Sequence, residues 1–320
     1  MLNSKSVRVV AAAMGAAIAC AVPALAQAPA PPPITMKQLK PDVWAAIGGA
    51  GGNSTIVVGK TSVIVVDAKQ TDPGAKDLLA EIAKITPKPV TTVFITHSDG
   101  DHVNGLVAFP AGVKVIAHEN NKREQEAAIA GGGRGAPPPD RLPSQVTTKT
   151  KETMTIDGVK LELYHWAPAH TSGDLIVYLP AQKVAATGDI IVANRADDNP
   201  NLHSEKNGSA EGWIATVKGI VGLNADVYVP GHGDLQMKAD IQRKLSATTA
   251  RRAKIVAMVK DGKSLADIKA ALPDSPAPGA PPPAAAQAAG GRGAAPAAAA
   301  RGPVPGFVDV AYAELTKKAS

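Results

Sequence analysis

Short apolar runs separated by glycine-bearing turns characterise the chain from residue 43 onward. Three of them, at residues 43–47, 54–58 and 62–66, predict β-strands. An aspartate followed by proline then opens a helical pattern at residues 72–85, a pairing typical of a helix start. The next apolar run, at residues 90–96, is rich in β-branched side chains and predicts a further strand.

Strand and helix patterns continue to alternate as far as about residue 271. A short helix is predicted after His102. The further predicted strands are residues 114–117, 147–156, 159–164, 175–179, 184–186 and 227–229. The further predicted helices are residues 119–130, 210–223, 235–259 and 264–271. This alternation indicates a fold of the α/β or α+β class.

Two segments of low complexity interrupt the pattern. Residues 131–139 read GGGRGAPPP and predict a flexible insertion. Residues 273–306 consist mainly of alanine, proline and glycine, so they cannot bury enough apolar area to offset the entropy of ordering. Residues 307–318 have apolar side chains at helical spacing, and we expect this helix to dock back onto the domain. The predicted organisation is a proline-rich spacer at 29–35, one domain at 36–271, a disordered insertion at 272–306 and a C-terminal helix at 307–320.

The first 28 residues have the three parts of a secretory signal peptide. Lys5 and Arg8 precede an apolar stretch at residues 9–22, and small residues follow it. We therefore expect export across the inner membrane to the periplasm. We expect no stable membrane insertion, because no later segment approaches the roughly 20 apolar residues that a span needs. A lipid anchor on Cys20 is the alternative.

Cysteine content and charge narrow the chemistry further. Cys20 is the only cysteine, so the cleaved chain would have no disulfide and no thiolate for a metal. Cleavage also removes Lys5 and Arg8 but no acid, which lowers the net charge from +6 to +4. An excess this small, without a basic stripe, argues against a nucleic-acid partner. We expect a small-molecule substrate, and the oligomeric state stays open.

Four potential metal ligands follow the strand at residues 90–96 directly. They are His97, Asp99, Asp101 and His102, within six residues of one another. Four such side chains at a strand end cannot all pack as apolar core. They would be costly to bury unless a positive charge lies among them.

Three later fragments place a histidine or aspartate at the end of a strand, beside small residues. They contain His170, Asp189 and His232. Glycines in these turns let the backbone approach a metal closely. Imidazole and carboxylate ligands without sulfur suit zinc, and also iron or manganese.

The order and spacing of these residues resemble the metallo-beta-lactamase superfamily, over residues 36–259. The resemblance implies a four-layer αβ/βα sandwich with its site at the edge where loops of the two sheets meet. It also implies two divalent metal ions, with zinc the first expectation and iron or manganese the alternatives. The implied ligands are His97, Asp99 and His170 for the first metal, Asp101, His102 and His232 for the second, and Asp189 between them.

Asp99 departs from the family motif, which has a histidine at this position. A carboxylate still ligates, but it adds negative charge and a harder oxygen donor. The flavin-associated di-iron branch of the superfamily has a glutamate here, which makes iron a rival to zinc. No flavin-binding domain is recognised in this sequence, so the oxygen-reduction chemistry of that branch is not expected. A second interpretation is that Asp99 weakens the first site, leaving one metal or no turnover.

The resemblance implies a metallo-hydrolase that uses a hydroxide shared between two metals. Asp101 would orient this nucleophile or carry its proton. The expected substrates are a cyclic amide such as a β-lactam, a lactone, a thioester or a phosphoester. The alternative is a non-hydrolytic periplasmic protein of the same fold that binds metal or assists a redox system.

Four further residues are weaker candidates. Asp67 matches a superfamily aspartate that supports the ligands from behind, or it only caps a turn. His203 lies in a polar stretch expected to form a loop over the site, where it contacts substrate or solvent. His118 and His165 are interpreted as structural histidines.

Overall fold

The computed structural model describes residues 31–132, 137–194, 200–274 and 305–317. The predicted signal peptide at 1–28 lies outside these ranges. Most of the predicted disordered insertion and the centre of the GGGRGAPPP segment lie outside them too.

Within the described ranges the chain forms twelve strands and seven α-helices. The strands are β1 (Thr35–Lys40), β2 (Val43–Ile47), β3 (Ser54–Val58), β4 (Val63–Val66), β5 (Val90–Phe94), β6 (Lys114–His118), β7 (Gln145–Thr147), β8 (Lys151–Ile156), β9 (Val159–Tyr164), β10 (Ile176–Leu179), β11 (Val184–Ala193) and β12 (Val227–Gly233). The helices are α1 (Asp72–Ile85), α2 (Gly100–Val103), α3 (Glu119–Ala130), α4 (Ala210–Gly222), α5 (Lys238–Lys260), α6 (Leu265–Ala271) and α7 (Phe307–Thr316). Short 3-10 turns occur at Asn104–Ala108, Pro139–Arg141 and Ser204–Lys206.

The strands form two sheets. The first has seven strands in the order β1 to β7, antiparallel from β1 to β4 and parallel from β4 to β7. The second has the order β12-β11-β10-β9-β8, antiparallel except for the parallel pair β11 and β12. Parallel neighbours bring the residues after their carboxyl ends to one edge of the sheet.

Three separate apolar clusters show that the sheets and helices form four layers. Val63 and Val65 of β4 pack with Leu78 of α1. The alternate residues of β4 face the other way and pack against the second sheet, as Ile64 does with Leu161. The third cluster lies on the far face of the second sheet, between the strands and the helices α4 and α5. Its members include Tyr178, Ala185, Trp213, Val217, Ile241 and Ile255. The order of layers is therefore helix, sheet, sheet, helix.

The structure differs from the predicted elements in three places. The polar strand β1 was not predicted, because its pattern of exposed and half-buried residues suits a sheet edge and lacks an apolar run. The single strand predicted at 147–156 is divided between β7 of the first sheet and β8 of the second. Strand β11 continues beyond the predicted 184–186 to Ala193, with an irregular register around Gly188.

Helix α7 belongs to the core. Phe307, Val308, Val310 and Ala311 are buried in the cluster that α4 and α5 also form. Glu314 of α7 accepts hydrogen bonds from the first two amides of α4, at 2.7 Å and 3.3 Å. A carboxylate at a helix N-terminus satisfies unpaired amides and interacts favourably with the helix dipole. Among the described helices, none has the length and apolar character needed to cross a membrane.

Asp157 joins a turn of one sheet to a turn of the other. Its carboxylate accepts two hydrogen bonds from Thr61 and two from Ser62, at 2.7 to 2.9 Å. The hydrogen bond from the Thr61 amide, followed by those from Ser62, lowers the pKa of Asp157 from 3.8 to about 2. The ionised carboxylate therefore stabilises the folded state, and this contribution is lost as the pH falls from about 4 through about 2.

We expect Asp157→Ala to lower the urea midpoint at neutral pH, with a difference from the wild type that shrinks on acidification to about pH 2. Urea denaturation across this pH range measures the effect. Asp77→Ala is the matched control, because Asp77 is an exposed aspartate of α1 whose carboxylate forms no hydrogen bond with the described residues. A difference that is constant with pH would contradict the assignment to ionised Asp157.

Candidate metal centre

Seven histidines and aspartates from five segments converge at one edge of the two sheets. His97 and Asp99 follow β5, and Asp101 and His102 lie in α2. The others are His170 in the β9–β10 loop, Asp189 in β11 and His232 in β12. Their ligand atoms form three overlapping groups, each with all atoms within 4.8 Å: His97, Asp99 and His170; Asp101, His102 and His232; His97, His102 and Asp189.

The first group is arranged around one oxygen of Asp99. Its Oδ2 lies 3.0 Å from Nε2 of His170 and 3.6 Å from Nε2 of His97. Both imidazoles are buried, while the Asp99 side chain is 13% exposed. The three side chains that the resemblance assigned to the first metal therefore lie next to one another.

The second group faces Asp101. Oδ2 of Asp101 is 2.9 Å from Nε2 of His232 and 3.7 Å from Nε2 of His102. Asp189 lies between the groups, with Oδ1 3.2 Å from His102 Nε2 and Oδ2 3.9 Å from His170 Nε2. A carboxylate in this position can contact ligands of both groups.

Hydrogen bonds behind the ligands fix the orientation of two imidazole rings. Nδ1 of His102 is 2.8 Å from Oδ2 of Asp67, which also accepts from the Thr96 hydroxyl. Nδ1 of His170 lies 2.9 Å from the carbonyl oxygen of Asn201. Each Nε2 is thereby turned toward the site, the orientation that metal-binding histidines adopt. Asp67 thus contacts His102 directly.

The charges of the site differ from those of isolated side chains. Burial alone would lower the pKa of His170, but the hydrogen bond and charge of Asp99 outweigh it and raise the pKa to about 10. Burial would raise the pKa of Asp99, but the hydrogen bond with His170 and the neighbouring imidazole of His97 hold that pKa well below its usual range. The pKa values of His102 and His232 are also raised by neighbouring carboxylates, whereas burial, followed by the charge of His102, lowers the pKa of His97. A metal ion would displace protons from the histidines that it binds.

Two buried polar atoms without hydrogen-bond partners indicate whether these residues fit a metal ion. Nε2 of His97 and Oδ1 of Asp189 are shielded from solvent and have no hydrogen-bond partner. The His102 nitrogen 3.2 Å from Asp189 Oδ1 makes an electrostatic contact with it and no well-oriented hydrogen bond. Unpaired buried nitrogen and oxygen atoms are costly, and coordination to a cation removes that cost. The residues therefore fit divalent metal ions.

A glycine-rich loop packs against the second group. Gly52 lies against the ring of His102, and an added Cβ there would overlap the imidazole. The Asn53 side chain donates to the carbonyls of Pro230 and Gly233, on either side of His232 in sequence. This loop therefore holds both histidines of the second group in place.

Gly52→Ala should displace His102 and lower the zinc affinity of the second group by about tenfold or more, at a stability cost of about 1–3 kcal/mol. The ring cannot swing away easily, because it is fully buried and held by Asp67. Zinc titration with a chelator as competitor measures the affinity. Gly222→Ala is the control, since a Cβ there meets no atom within 4 Å. Equal zinc affinity in both variants would contradict the packing argument.

Two lysines that the sequence patterns did not indicate shape the site. Lys206 donates from Nζ to Oδ1 of Asp99. Lys69 is buried, with φ at 72°, and donates to the carbonyls of Gly48 and Gly52 at 2.8 Å and 2.7 Å. Burial, opposed by the charge of Asp67, lowers the pKa of Lys69 to about 8. Neither lysine belongs to a recognisable motif, because each is defined by a contact with a distant segment.

The remaining histidines fall into two kinds. His203 lies over the first group, with Nε2 3.4 Å from Oδ2 of Asp99 and Nδ1 2.6 Å from Glu205. His118 and His165 stack on one another with centroids 3.9 Å apart, and His118 accepts from the Asn120 amide at the start of α3. This pair lies outside the three ligand groups and has structural contacts.

Two sheets packed between helices, with histidine and aspartate side chains converging at one edge, define an α/β sandwich protein with a metal-binding site. The chain belongs to the metallo-beta-lactamase superfamily, whose family model matches residues 47–232. This confirms the resemblance drawn from the motif and the fold class that it implied.

Relatives with assigned activities are diverse. The chain is 26% identical to the alpha subunit of a 2,4-dinitroanisole O-demethylase from Nocardioides sp. (strain JS1661), over 63% of this chain and 58% of that one. It is 23% identical to a linear primary-alkylsulfatase from Pseudomonas sp. (strain ATCC 19151), over 53% and 39% of the two chains. A type 2 metallo-beta-lactamase from Bacillus cereus is 24% identical, over 63% and 77%. The chain thus spans less than two thirds of the length of the first two relatives.

Solved structures show the same fold. A sec-alkylsulfatase from Pseudomonas sp. superimposes with a TM-score of 0.62 at 18% identity, over 76% of this chain and 46% of that one. A metallo-beta-lactamase from Pontibacter korlensis gives a TM-score of 0.57 at 21% identity, over 68% and 99%. At these identities the likeness concerns the fold alone.

Proposed function

We propose that the protein is a metal-dependent hydrolase of a small molecule. The observation that carries the proposal is the convergence of seven ligand side chains in three overlapping groups, with two buried atoms left unpaired among them. Membership of a superfamily whose relatives include β-lactamases and an alkylsulfatase supports it.

The proposed ligands are divided between two divalent ions, zinc in the first instance, with iron or manganese as alternatives. His97, Asp99 and His170 would hold one ion. Asp101, His102 and His232 would hold the other, with Asp189 shared. Divalent ions bound in this way make water more acidic at neutral pH and stabilise negative charge that develops on the substrate.

The chain's own groups then position the reactants. Asp101 is the most exposed carboxylate of the site, at 29%, so it can hydrogen-bond a water or substrate atom at the entrance. The buried Asp67 keeps His102 oriented, with Nε2 directed inward. His203 is 21% exposed beside Asp99 and lies where it can contact a bound substrate.

The substrates that this arrangement suits are electrophilic carbonyl or phosphorus centres: a β-lactam, a lactone, a thioester or a phosphoester. The names of the relatives add alkyl sulfate esters and activated aryl ethers to the compounds worth testing. The fold does not select among these, because one architecture supports many chemistries.

A substrate panel with and without a chelator tests the proposal. The purified protein should contain about two metals per chain by elemental analysis and hydrolyse at least one class in a chelator-sensitive manner. Metal binding without turnover of any class would favour the alternative, a non-hydrolytic protein that binds metal or assists a redox system. Turnover that persists after complete metal removal would refute metal dependence.

A further inference from the structure

We propose that Lys206 and Asp99 form one ligand unit without net charge, which replaces a neutral histidine at the first metal position. Lys206 is a positioning residue in this proposal: it offsets the charge of Asp99 through the oxygen that faces away from the histidines. The inference rests on the proposed metal assignment and concerns how that site accommodates a carboxylate.

The two oxygens of Asp99 have different partners. Oδ2 faces the histidines, 3.0 Å from His170 Nε2 and 3.6 Å from His97 Nε2. Oδ1 accepts from the ammonium group of Lys206. One oxygen is therefore available to a metal, while the other is engaged by a permanent cation.

The backbone around Lys206 is tied to the loop that carries His170. The Ser172 amide donates to the carbonyl of Lys206 at 2.8 Å, and the His203 amide donates to that of His170 at 2.9 Å. The Lys206 amide donates to His203 at 3.0 Å. Lys206 is thus held beside the first group by its own backbone, with a side chain only 26% exposed.

The charge balance of the site shows what the Lys206 ammonium group changes. Asp99, Asp101 and Asp189 bring three negative charges, one more than a site with histidine in place of Asp99. Histidines that ligate a metal do so as neutral imidazoles, so they do not offset these charges. The Lys206 ammonium group supplies a positive charge in direct contact with Asp99. The nearby Glu205 carboxylate contacts Nδ1 of His203 at 2.6 Å, and Nε2 of His203 lies 3.4 Å from Oδ2 of Asp99, on the side away from Lys206.

Charge compensation predicts whether each substitution raises or lowers the affinity of the first group for zinc. Lys206→Met removes a cation beside the first metal and should raise its zinc affinity by about tenfold, the effect of a unit charge on a divalent ion at short range in water. Lys206→Arg preserves the charge and should bind zinc as the wild type does. Asp99→His leaves Lys206 unpaired and should lower the affinity by about tenfold or more. The double variant Asp99→His with Lys206→Met should recover most of that loss.

The experiment is a titration of the purified metal-free chain with Zn²⁺ against a chromophoric chelator, for all four variants and the wild type. Lys218→Met is the matched control, an exposed lysine on α4 outside the ligand groups, and it should leave both zinc affinities unchanged. Melting by circular dichroism in the metal-free state shows that each variant is folded.

Higher affinity in Lys206→Met together with recovery in the double variant supports the inference. Unchanged or lower affinity in Lys206→Met, or a double variant that binds no better than Asp99→His, overturns it. The wild type tests the proposed function separately. If it binds two zinc ions and its turnover is sensitive to chelator, the proposed function is supported regardless of the results for the Lys206 variants. A wild type that binds none of zinc, iron and manganese overturns both.

Discussion

Asp189→Ala should reduce hydrolysis by about a thousandfold or more and release metal from the protein. Asp189 is the carboxylate common to both groups, with Oδ1 3.2 Å from His102 Nε2 and 3.6 Å from His232 Nε2, and Oδ2 on the His170 side. In the proposed centre its removal would take an anionic ligand from both ions, and it leaves buried histidines without a nearby carboxylate. Elemental analysis and the rate on the substrate found by the panel measure the two effects.

Two controls separate this result from unfolding. Asp140→Ala removes a carboxylate that is 75% exposed and distant in sequence from every ligand, and it should keep both metals and full activity. Circular dichroism of Asp189→Ala without metal should show a folded chain, because the apolar clusters are intact. Two metals per chain with wild-type rates in Asp189→Ala would remove Asp189 from the proposed centre.

Phe307→Ala should destabilise the protein by about 3–5 kcal/mol. The Phe307 ring is 2% exposed, packs in the cluster of α4 and α5, and lies 5.9 Å from the Arg251 guanidinium. Truncation leaves a cavity that the surrounding helices cannot fill. Chemical denaturation of the metal-free chain gives the free energy of unfolding.

Lys317→Ala, at an exposed position next to the end of α7, should change the free energy of unfolding by less than about 0.5 kcal/mol. Turnover of folded Phe307→Ala should stay near that of the wild type, since no ligand lies on α7. A Phe307→Ala protein as stable as the wild type would show that α7 adds nothing to the core.

Most strands and helices were predictable, because they depend on patterns within a few residues. The apolar run of β4, Val63–Val66, is local, and so are the turns with Gly52 before β3 and Gly59 before β4. The division of residues 147–156 was not predictable. That stretch reads as one strand, but the chain leaves the first sheet after Thr147 and joins the second at Lys151, where the partners are distant in sequence.

By itself the sequence determined which residues could bind metal and roughly where they lie. A ligand after a strand end, such as His97, is recognisable because its chemistry and its neighbours are adjacent in the chain. The tertiary structure alone decided how these groups combine and what surrounds them. It brought Lys206 to Asp99, Gly52 to His102 and Asn53 to the backbone on either side of His232. Each of these contacts joins segments far apart in sequence, and such contacts arise only when the two sheets pack together.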